Sequence, residues 1–217
     1  MKVISIALGV LVLVLAGICY YLYDANKKRG RELQASYGIR SELESKVANI
    51  SRESKDEVAR LTATYDKMVK EMKEEIEQEQ IKITKMSDRL SVAMVDKILF
   101  PSGEAKITPE GMAVLTRIGE ILKNTPGKII RVEGHTDNVR IAPRLQQKFP
   151  TNWELSTTRA TNVVRFLQDN VEIDGVRLQA VGMSEYHPVA SSETHDSRGQ
   201  NRRIEIAVLP KPIQQTP

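Results

Sequence analysis

The stretch "VEGHTDNVRIAPRLQQKFPTNWELSTTRA", residues 132–160, decides the fold expected for the second half of this chain. Its first residues end a run that alternates as a β-strand does. Its last residues begin an amphipathic helix whose predicted N-cap is Ser156. A polar, irregular loop joins the two elements. Asp137 therefore follows the end of a strand, and Arg159 lies in the first turn of a helix.

This placement of an acid and a base predicts a binding site, because loops at strand ends commonly carry the binding groups of α/β folds. A cation near a helix N-terminus is disfavoured by about 0.3–1 kcal/mol. Free N–H groups beside an arginine nevertheless suit a carboxylate from outside the protein. Asp137 and Arg159 therefore suit a zwitterion, in which one carbon carries both an amine and a carboxylate. The alternative is a salt bridge between the two side chains that ties the loop to the helix.

The residues around this stretch predict an α+β domain over residues 91–210. One helix is expected over 107–124, with Thr108 as N-cap and Pro109 at its first position, and a second over 156–170. Strands alternate with these helices, so we expect an α/β sandwich with one mixed sheet covered by helices. The predicted strands are 92–100, 128–134, 176–183 and 202–209, the predicted inward residues are Met112, Leu115, Ile118, Ile121, Leu122, Ala160, Val163, Val164 and Leu167, and a flexible proline-rich tail is predicted over 211–217.

The N-terminal segment, residues 1–23, is predicted to be a transmembrane anchor. Residues 3–23 are apolar and uncharged, and about 20 such residues span a bilayer as a helix. An uncleaved anchor is favoured because the run exceeds the apolar core of a signal peptide, about 7–15 residues. A cleaved signal peptide and a lipoprotein attached at Cys19 are alternatives, although Ile18 is large for the residue before a lipidated cysteine. The basic cluster in residues 27–31 would place the following chain in the cytoplasm.

Residues 24–90 are rich in charge, contain no proline and predict a long helix. Apolar residues recur at steps of three and four, as in the seam of an amphipathic helix or coiled coil. A lone helix with so narrow an apolar stripe gains little from packing, so a homo-oligomeric coiled-coil stalk is favoured over a single solvated helix. The seam consists of Leu43, Val47, Ile50, Val58, Leu61, Tyr65, Met68, Met72, Ile76, Ile83, Met86 and Leu90.

The composition argues against several other functions. The formal net charge of +4 comes without a dense basic stripe interleaved with aromatic residues, so nucleic-acid binding is not expected. The three histidines, His135, His187 and His195, lack metal-ligand spacing. The sequence contains no G-x-S-x-G, G-x-G-x-x-G or Walker-type run. We therefore expect no catalytic residue, no metal and no cofactor.

Four segments resemble a known family: "FPSGEAKITPEG", "VEGHTDN", "FPTNWELSTTRA" and "RLQAVGMSEYHPVASSETHDSRGQNRRIEI". In order, over residues 91–208, they resemble the OmpA-like C-terminal domain of OmpA-, Pal- and MotB-type proteins, with the MotB-like branch closest in pattern. The resemblance implies non-covalent, non-enzymatic binding of peptidoglycan through the diaminopimelate of its stem peptide. It implies that Asp137 takes the ammonium group and Arg159 the carboxylate, with the loop 138–151 shaping access. The further binding residues that it implies are Thr136, Asn152, Asn201, Arg202 and Phe100.

The expected function is a tether of the bacterial cell envelope, anchored in a membrane, spaced by a helix and bound to peptidoglycan. Because that ligand lies outside the cytoplasm, we expect the C-terminal domain in the periplasm, against the charge signal of residues 27–31. The alternative is a MotB-like stator subunit or a secretion-complex subunit that anchors an envelope machine. Residues 3–23 lack the acid that an ion-conducting membrane helix would carry. An enzyme acting on peptidoglycan is a third hypothesis, for which no acid pair or metal set is present.

Overall fold

The structure is a computed structural model that describes residues 2–86 and 89–211, with side chains from residue 13 onward. The chain divides into two compact units, Met1–Lys55 and Asp56–Pro217. Helix α1, Lys2–Glu71, provides the described residues of the first unit and continues into the second.

The predicted membrane anchor lies partly outside the described side chains, since those of residues 3–12 are not described. Within the described residues, no helix combines the length and the apolar character needed to cross a membrane. Of the predicted tail, only Lys211 lies within the described residues.

The second unit is built around a five-stranded mixed sheet. Its strands are β1 (Ile81–Lys85), β2 (Leu90–Val95), β3 (Lys128–His135), β4 (Leu178–Ser184) and β5 (Arg203–Pro210), and its further helices are α2 (Lys73–Glu77), α3 (Asp96–Leu99), α4 (Pro109–Lys123), α5 (Asn152–Asp169) and α6 (His195–Asn201). The strand order is β1-β2-β5-β3-β4, with β3 and β4 parallel and the other neighbours antiparallel. The predicted α+β fold with a mixed sheet and helices is confirmed.

The end of α1 belongs to the folded domain. Leu61, Met68 and Met72 are buried in the same hydrophobic core as the inward residues of the sheet and of α4. The Lys128 ammonium group forms an ion pair with Glu57. In this part of α1, the apolar residues that predicted a coiled-coil seam therefore pack within the chain.

The prediction of a helical stalk up to residue 90 is wrong beyond Glu77. The chain turns at Glu79, whose φ is 55°, and then forms β1, which pairs with β2. In "IKITK" the isoleucines alternate with polar residues, so Ile81 and Ile83 share one face of the strand and pack against the core. A pattern of only two apolar residues is too short to predict a strand when a longer run with helical spacing precedes it.

Strand β2 ends earlier than predicted. The predicted strand 92–100 stops at Val95, and Asp96 begins the short helix α3. The Asp96 N–H donates to the Arg202 carbonyl at 2.9 Å, and the Phe100 N–H donates to the Asp96 carbonyl at 2.9 Å. This turn places Asp96 at the end of the sheet instead of inside a strand.

Helix α4 matches its prediction except at one inward position. Thr108 Oγ1 accepts a hydrogen bond from the Gly111 N–H at 2.9 Å, and Pro109 is the first helical residue, which confirms the predicted cap. The other predicted inward residues are buried, but Met112 is 38% exposed. Gly111 faces the core beside it, where a Cβ would lie only 2.9 Å from the Leu99 Cα. The absence of a side chain thus lets α4 approach α3 closely.

Helix α5 begins at Asn152, because its N-cap is Thr151 and not the predicted Ser156. Thr151 and Glu154 form a capping box: Thr151 Oγ1 accepts from the Trp153 N–H at 3.2 Å, and the Thr151 N–H donates to the Glu154 carboxylate at 2.7 Å. Ser156 is fully buried inside the helix. Of the predicted inward residues, those buried are Ala160, Val163 and Leu167, and Val164 is half-buried.

Two glycines allow α5 to lie directly on the sheet. Gly134 of β3 and Gly182 of β4 are register partners. A Cβ on Gly134 would lie 2.2 Å from the Ser156 carbonyl oxygen, and a Cβ on Gly182 would lie 2.0 Å from Thr157 Oγ1. The Ser156 hydroxyl also accepts a hydrogen bond from the Ser184 N–H at 3.2 Å. This close packing fixes the position of α5, and of every side chain that it carries, over β3 and β4.

Candidate functional site

The ends of three neighbouring strands meet at one end of the sheet. Since β5 runs antiparallel to both β2 and β3, its start lies beside their ends. Asp96 directly follows β2, Asp137 follows β3 after one intervening residue, and Arg202 directly precedes β5. Together with Arg159 of α5, these residues line a groove with a volume of about 920 Å³.

The Asp137 carboxylate is buried and already has partners in the groove. Its Oδ2 accepts a hydrogen bond from Arg202 Nη1 at 2.6 Å, which is also an ion pair. Its Oδ1 accepts from the Val139 N–H at 3.1 Å. The acid therefore lies where the sequence placed it, after the strand, and it faces a cation from the neighbouring strand.

Arg159 is 3% exposed and is held from three sides. Its Nη1 lies 2.9 Å from Asp96 Oδ1, and its Nε donates to the Glu104 carbonyl at 2.9 Å. Its guanidinium carbon lies 5.0 Å from the centre of the Phe100 ring, a distance suited to a cation–π contact. The expectation that Arg159 lies in the first turn of the helix is wrong, because α5 begins at Asn152. The free N–H groups of a helix start are therefore not beside it.

Asp96 and Arg159 form a largely desolvated ion pair. Burial raises the pKa of Asp96, even though the positive charge of Arg159 lowers it. Burial also lowers the pKa of Arg159, while Asp96 raises it. The charges of Asp137 and Arg202 reach both groups. These two ion pairs bring together two acids and two arginines, and the formal charges of these four groups sum to zero. The groove lining also carries other charged side chains: Glu79, Lys97, Arg140, Asp196 and Arg198.

Asp137 and Arg159 do not pair with each other; each has a different partner. The ion pairs are Asp137 with Arg202 and Asp96 with Arg159. The alternative hypothesis of a salt bridge between Asp137 and Arg159 is therefore wrong. Sequence reasoning missed Asp96, which was assigned to the inside of a strand. The signal that could have revealed it is an acid within an otherwise apolar run.

Three of the other predicted residues lie at the groove. Phe100 is buried against Arg159. Thr136 is also buried, and its hydroxyl oxygen has no hydrogen-bond partner among the described residues. Asn152 Nδ2 donates to the Asp137 carbonyl at 3.3 Å and to the Val139 carbonyl at 3.1 Å. Asn152 therefore holds the loop that carries the acid.

Asn201 does not belong to the set of groove-lining residues, so its predicted place is wrong. It is 1% exposed, and its Oδ1 accepts hydrogen bonds from the N–H groups of Val189 and Ala190 at 2.8 and 2.9 Å. Its Nδ2 donates to the Ala190 carbonyl at 3.0 Å. Asn201 thus fixes the loop after β4. Its neighbour Arg202 is the one that reaches the groove.

The loop between β3 and α5 forms one side of the groove, as expected. Val139, Ile141 and Leu145 are among its lining residues. Phe149 is buried with Ala105 and Leu155 in a small hydrophobic cluster, and Ile141 packs against that cluster. The loop is therefore anchored by its own core.

A second polar cluster lies on β3 and β5. Glu133, His135 and Glu205 each offer one potential metal-ligand atom, and these atoms lie within 4.8 Å of one another. Arg131 Nη1 lies 3.9 Å from Glu133 Oε1, and Arg203 Nη2 lies 3.6 Å from Glu205 Oε2. Since a guanidinium group already faces each carboxylate, the charges of this cluster are balanced by the protein itself.

Comparison with known proteins gives relatives for most of the folded domain. The model of the OmpA family matches residues 99–202. Motility protein B of Bacillus subtilis is 34% identical over 161 residues, which are 74% of this chain and 59% of that protein. The aligned part therefore spans less than two thirds of that relative.

Several solved structures are similar to this one. The cell wall anchor of the T6SS from Pseudomonas aeruginosa is 31% identical, with a TM-score of 0.60 over 66% of this chain and 97% of that chain. A MotB-like protein from Desulfovibrio vulgaris has a TM-score of 0.66 over 75% of this chain and 99% of that chain. Its sequence identity is 22%, so this second similarity is one of fold.

Proposed function

Because this chain belongs to the OmpA family, we propose that it is a non-enzymatic tether that binds peptidoglycan without cleaving it and links it to a membrane of the cell envelope. The observation that carries the proposal is the groove itself, where Asp137 and Arg159 face one cavity from a strand end and a helix. The similarity to a cell wall anchor of known structure supports the same function.

The proposed ligand is the diaminopimelate of the stem peptide, whose free end is a zwitterion. Its ammonium group would contact the Asp137 carboxylate, and its carboxylate would contact the Arg159 guanidinium, which can bind a carboxylate through two parallel hydrogen bonds. Both protein groups are largely buried, so water competes little with the ligand for them. Thr136, with a buried and unpartnered hydroxyl oxygen at the groove, is the polar group proposed to contact the ligand beside the acid.

The proposed link to the membrane rests on the apolar residues 3–23, with the folded domain in the periplasm, where peptidoglycan lies. The proposed stalk is the part of α1 before Asp56, because the later part packs into the domain. Its seam residues Leu43, Val47 and Ile50 are 55%, 65% and 65% exposed, as expected for a helix that pairs with a second copy. Sedimentation equilibrium tests this: Val47→Asp should lower the mass of the oligomer, and an unchanged mass would rule out the seam.

Sedimentation of the full chain with isolated sacculi tests the binding function. The sacculi contain diaminopimelate, the test variant is Asp137→Asn, and the control is Asp196→Asn. Both substitutions remove one carboxylate from the groove lining, but the Asp196 side chain is fully exposed. Wild type and Asp196→Asn should sediment with the sacculi, Asp137→Asn should stay in solution, and free diaminopimelate should release the wild type. Equal sedimentation of all three proteins would show that the groove does not hold the ligand.

A second candidate function is that of a subunit anchoring an envelope machine, either a MotB-type stator or a secretion complex. The identity to Motility protein B over 74% of this chain favours it. The absence of an acid from residues 3–23 argues against ion conduction by this chain and leaves the anchoring role. Deletion of its gene in the native host separates the candidates. Loss of swimming or of secretion, while the outer layers of the cell stay attached to the wall, would favour the machine subunit.

A further inference from the structure

We propose that Asp96 is a fourth ligand-binding residue of the groove. With Asp137 it holds the ammonium group of the ligand, while Arg159 and Arg202 together hold the carboxylate. This inference rests on the proposed function, and it adds the residue that makes the groove selective for a zwitterion.

The four side chains lie close together because of the strand order. Asp96, Arg202 and Asp137 are at the ends of β2, β5 and β3, which are neighbours in the sheet. The hydrogen bond from the Asp96 N–H to the Arg202 carbonyl joins two of these ends directly. Arg159 extends towards them from α5, which lies close to the sheet because Gly134 of β3 and Gly182 of β4 have no side chain. All four residues line the same groove.

The charge balance requires more than two ligand contacts. Asp96 pairs with Arg159 at 2.9 Å, and Asp137 pairs with Arg202 at 2.6 Å. A ligand that displaced Arg202 from Asp137, and Asp96 from Arg159, would leave the displaced groups unpaired. The Asp96 side chain is only 11% exposed, and an unpaired buried charge is strongly disfavoured.

A zwitterion placed between the two ion pairs avoids this penalty. Its ammonium group lies against both acids, and its carboxylate lies against both arginines, so every charge keeps an opposite neighbour. Because the four protein charges sum to zero and the ligand centre is neutral overall, these four groups together with the ligand centre are also neutral. A primary amine alone would bring one extra positive charge and would offer the arginines no anion. The groove should therefore favour stem peptides with diaminopimelate over those with lysine.

Isothermal titration calorimetry of the full chain tests this selectivity. The ligands are the tripeptide L-alanyl-γ-D-glutamyl-meso-diaminopimelate and the same tripeptide ending in L-lysine. Asp96→Asn keeps the size of the side chain and removes its charge, and Asp169→Asn makes the same change at an exposed position outside the groove lining. Wild type should bind the diaminopimelate peptide about tenfold or more tightly than the lysine peptide. Asp96→Asn should lose about tenfold or more of that affinity, and Asp169→Asn should stay within about twofold.

The outcomes separate this inference from the proposed function. If Asp137→Asn abolishes binding but Asp96→Asn binds as the wild type does, the fourth contact is wrong and the proposed function stands. If the wild type binds neither tripeptide nor sacculi, both are wrong. An equal loss in Asp96→Asn and Asp169→Asn would reduce the effect to the general charge of the domain and would overturn the inference.

A measurement on the wild type covers the case in which Asp96→Asn fails to fold, since the substitution leaves Arg159 without its ion-pair partner. The NMR chemical shift of the Asp96 carboxyl carbon is followed during titration with the diaminopimelate tripeptide. Movement comparable to that of the Asp137 carboxyl carbon supports direct contact. A role limited to supporting the fold would leave the Asp96 signal in place, and that result would overturn the inference.

Discussion

Replacing Gly134 by alanine should destabilise the domain and displace the arginine of the groove. The new Cβ would lie 2.2 Å from the Ser156 carbonyl oxygen and 2.9 Å from the Ser156 carbonyl carbon. Carbon–oxygen contacts in proteins lie at about 3.3–3.6 Å, so α5 must move away by about 1 Å. The obstacle is helix backbone, which cannot rotate aside as a side chain can. The movement therefore carries Arg159 with it.

The expected loss of stability follows from two opposing effects. Overpacking a close contact typically costs about 1–3 kcal/mol, and a backbone obstacle places Gly134→Ala at about 3 kcal/mol. The lower flexibility of the unfolded chain offsets about 0.4–1 kcal/mol of that cost. The net loss is about 2 kcal/mol, which corresponds to a fall in Tm of about 4–8 °C for a domain of this size.

Urea denaturation of the full chain, followed by the fluorescence of Trp153, measures this loss. Trp153 lies in the first turn of α5 and is the only tryptophan in the sequence. Gly175→Ala is the matched control, because its Cβ would meet only the Gln168 side chain, at an ordinary 3.5 Å or more. If Gly134→Ala unfolds within about 0.5 kcal/mol of the wild type, α5 does not rest on the sheet as described. If stability falls but affinity for the diaminopimelate tripeptide is unchanged, the position of α5 does not control the groove.

Other substitutions probe the core, the connection after α4 and the groove. Met68→Ala, at a fully buried position of α1, should lower the free energy of unfolding by about 2–5 kcal/mol, whereas Val58→Ala, 43% exposed, should lower it by less than about 1 kcal/mol; equal effects would contradict the packing of α1 in the core. Arg177→Ala removes hydrogen bonds to four backbone carbonyl groups from the last turn of α4 to the first residue of β3 and should cost about 2 kcal/mol, whereas the exposed Arg165→Ala should change stability little. Since burial raises the pKa of Asp96 above 3.8, affinity for the tripeptide should fall as the pH is lowered through that pKa, and Asp96→Asn should shift the decline to lower pH; calorimetry that shows identical pH profiles would exclude a role for the Asp96 charge.

Signals carried by adjacent residues predicted the elements whose ends they mark. Thr108 and Pro109 gave the start of α4 correctly, because a cap acts within its own turn. Strand β3 was expected over 128–134 and is Lys128–His135. The predicted start of α5 is wrong although Thr151 and Glu154 form a capping box, since the apolar repeat that predicted this helix begins only after that box.

Features that depend on distant residues could not be read from the sequence. The seam residue Leu61 has the same spacing in a coiled coil and in a helix that packs on its own domain, and only the tertiary contact decides between them. The acid Asp137 was placed correctly, because a strand end is a local feature. The partners of Asp137 and Arg159 were not, since the strand order brings Arg202 to Asp137 and the packing of α5 on the sheet brings Arg159 to Asp96.

The strand that completes the sheet, β5, is the last strand of the described residues. β5 lies between β2 and β3, so a chain without it has two separate strand pairs, β1–β2 and β3–β4. Such a chain also lacks the strand that brings the acids after β2 and β3 into one groove. Assembly of the groove therefore requires the whole domain, and a molecule without β5 would lack the site proposed to bind peptidoglycan.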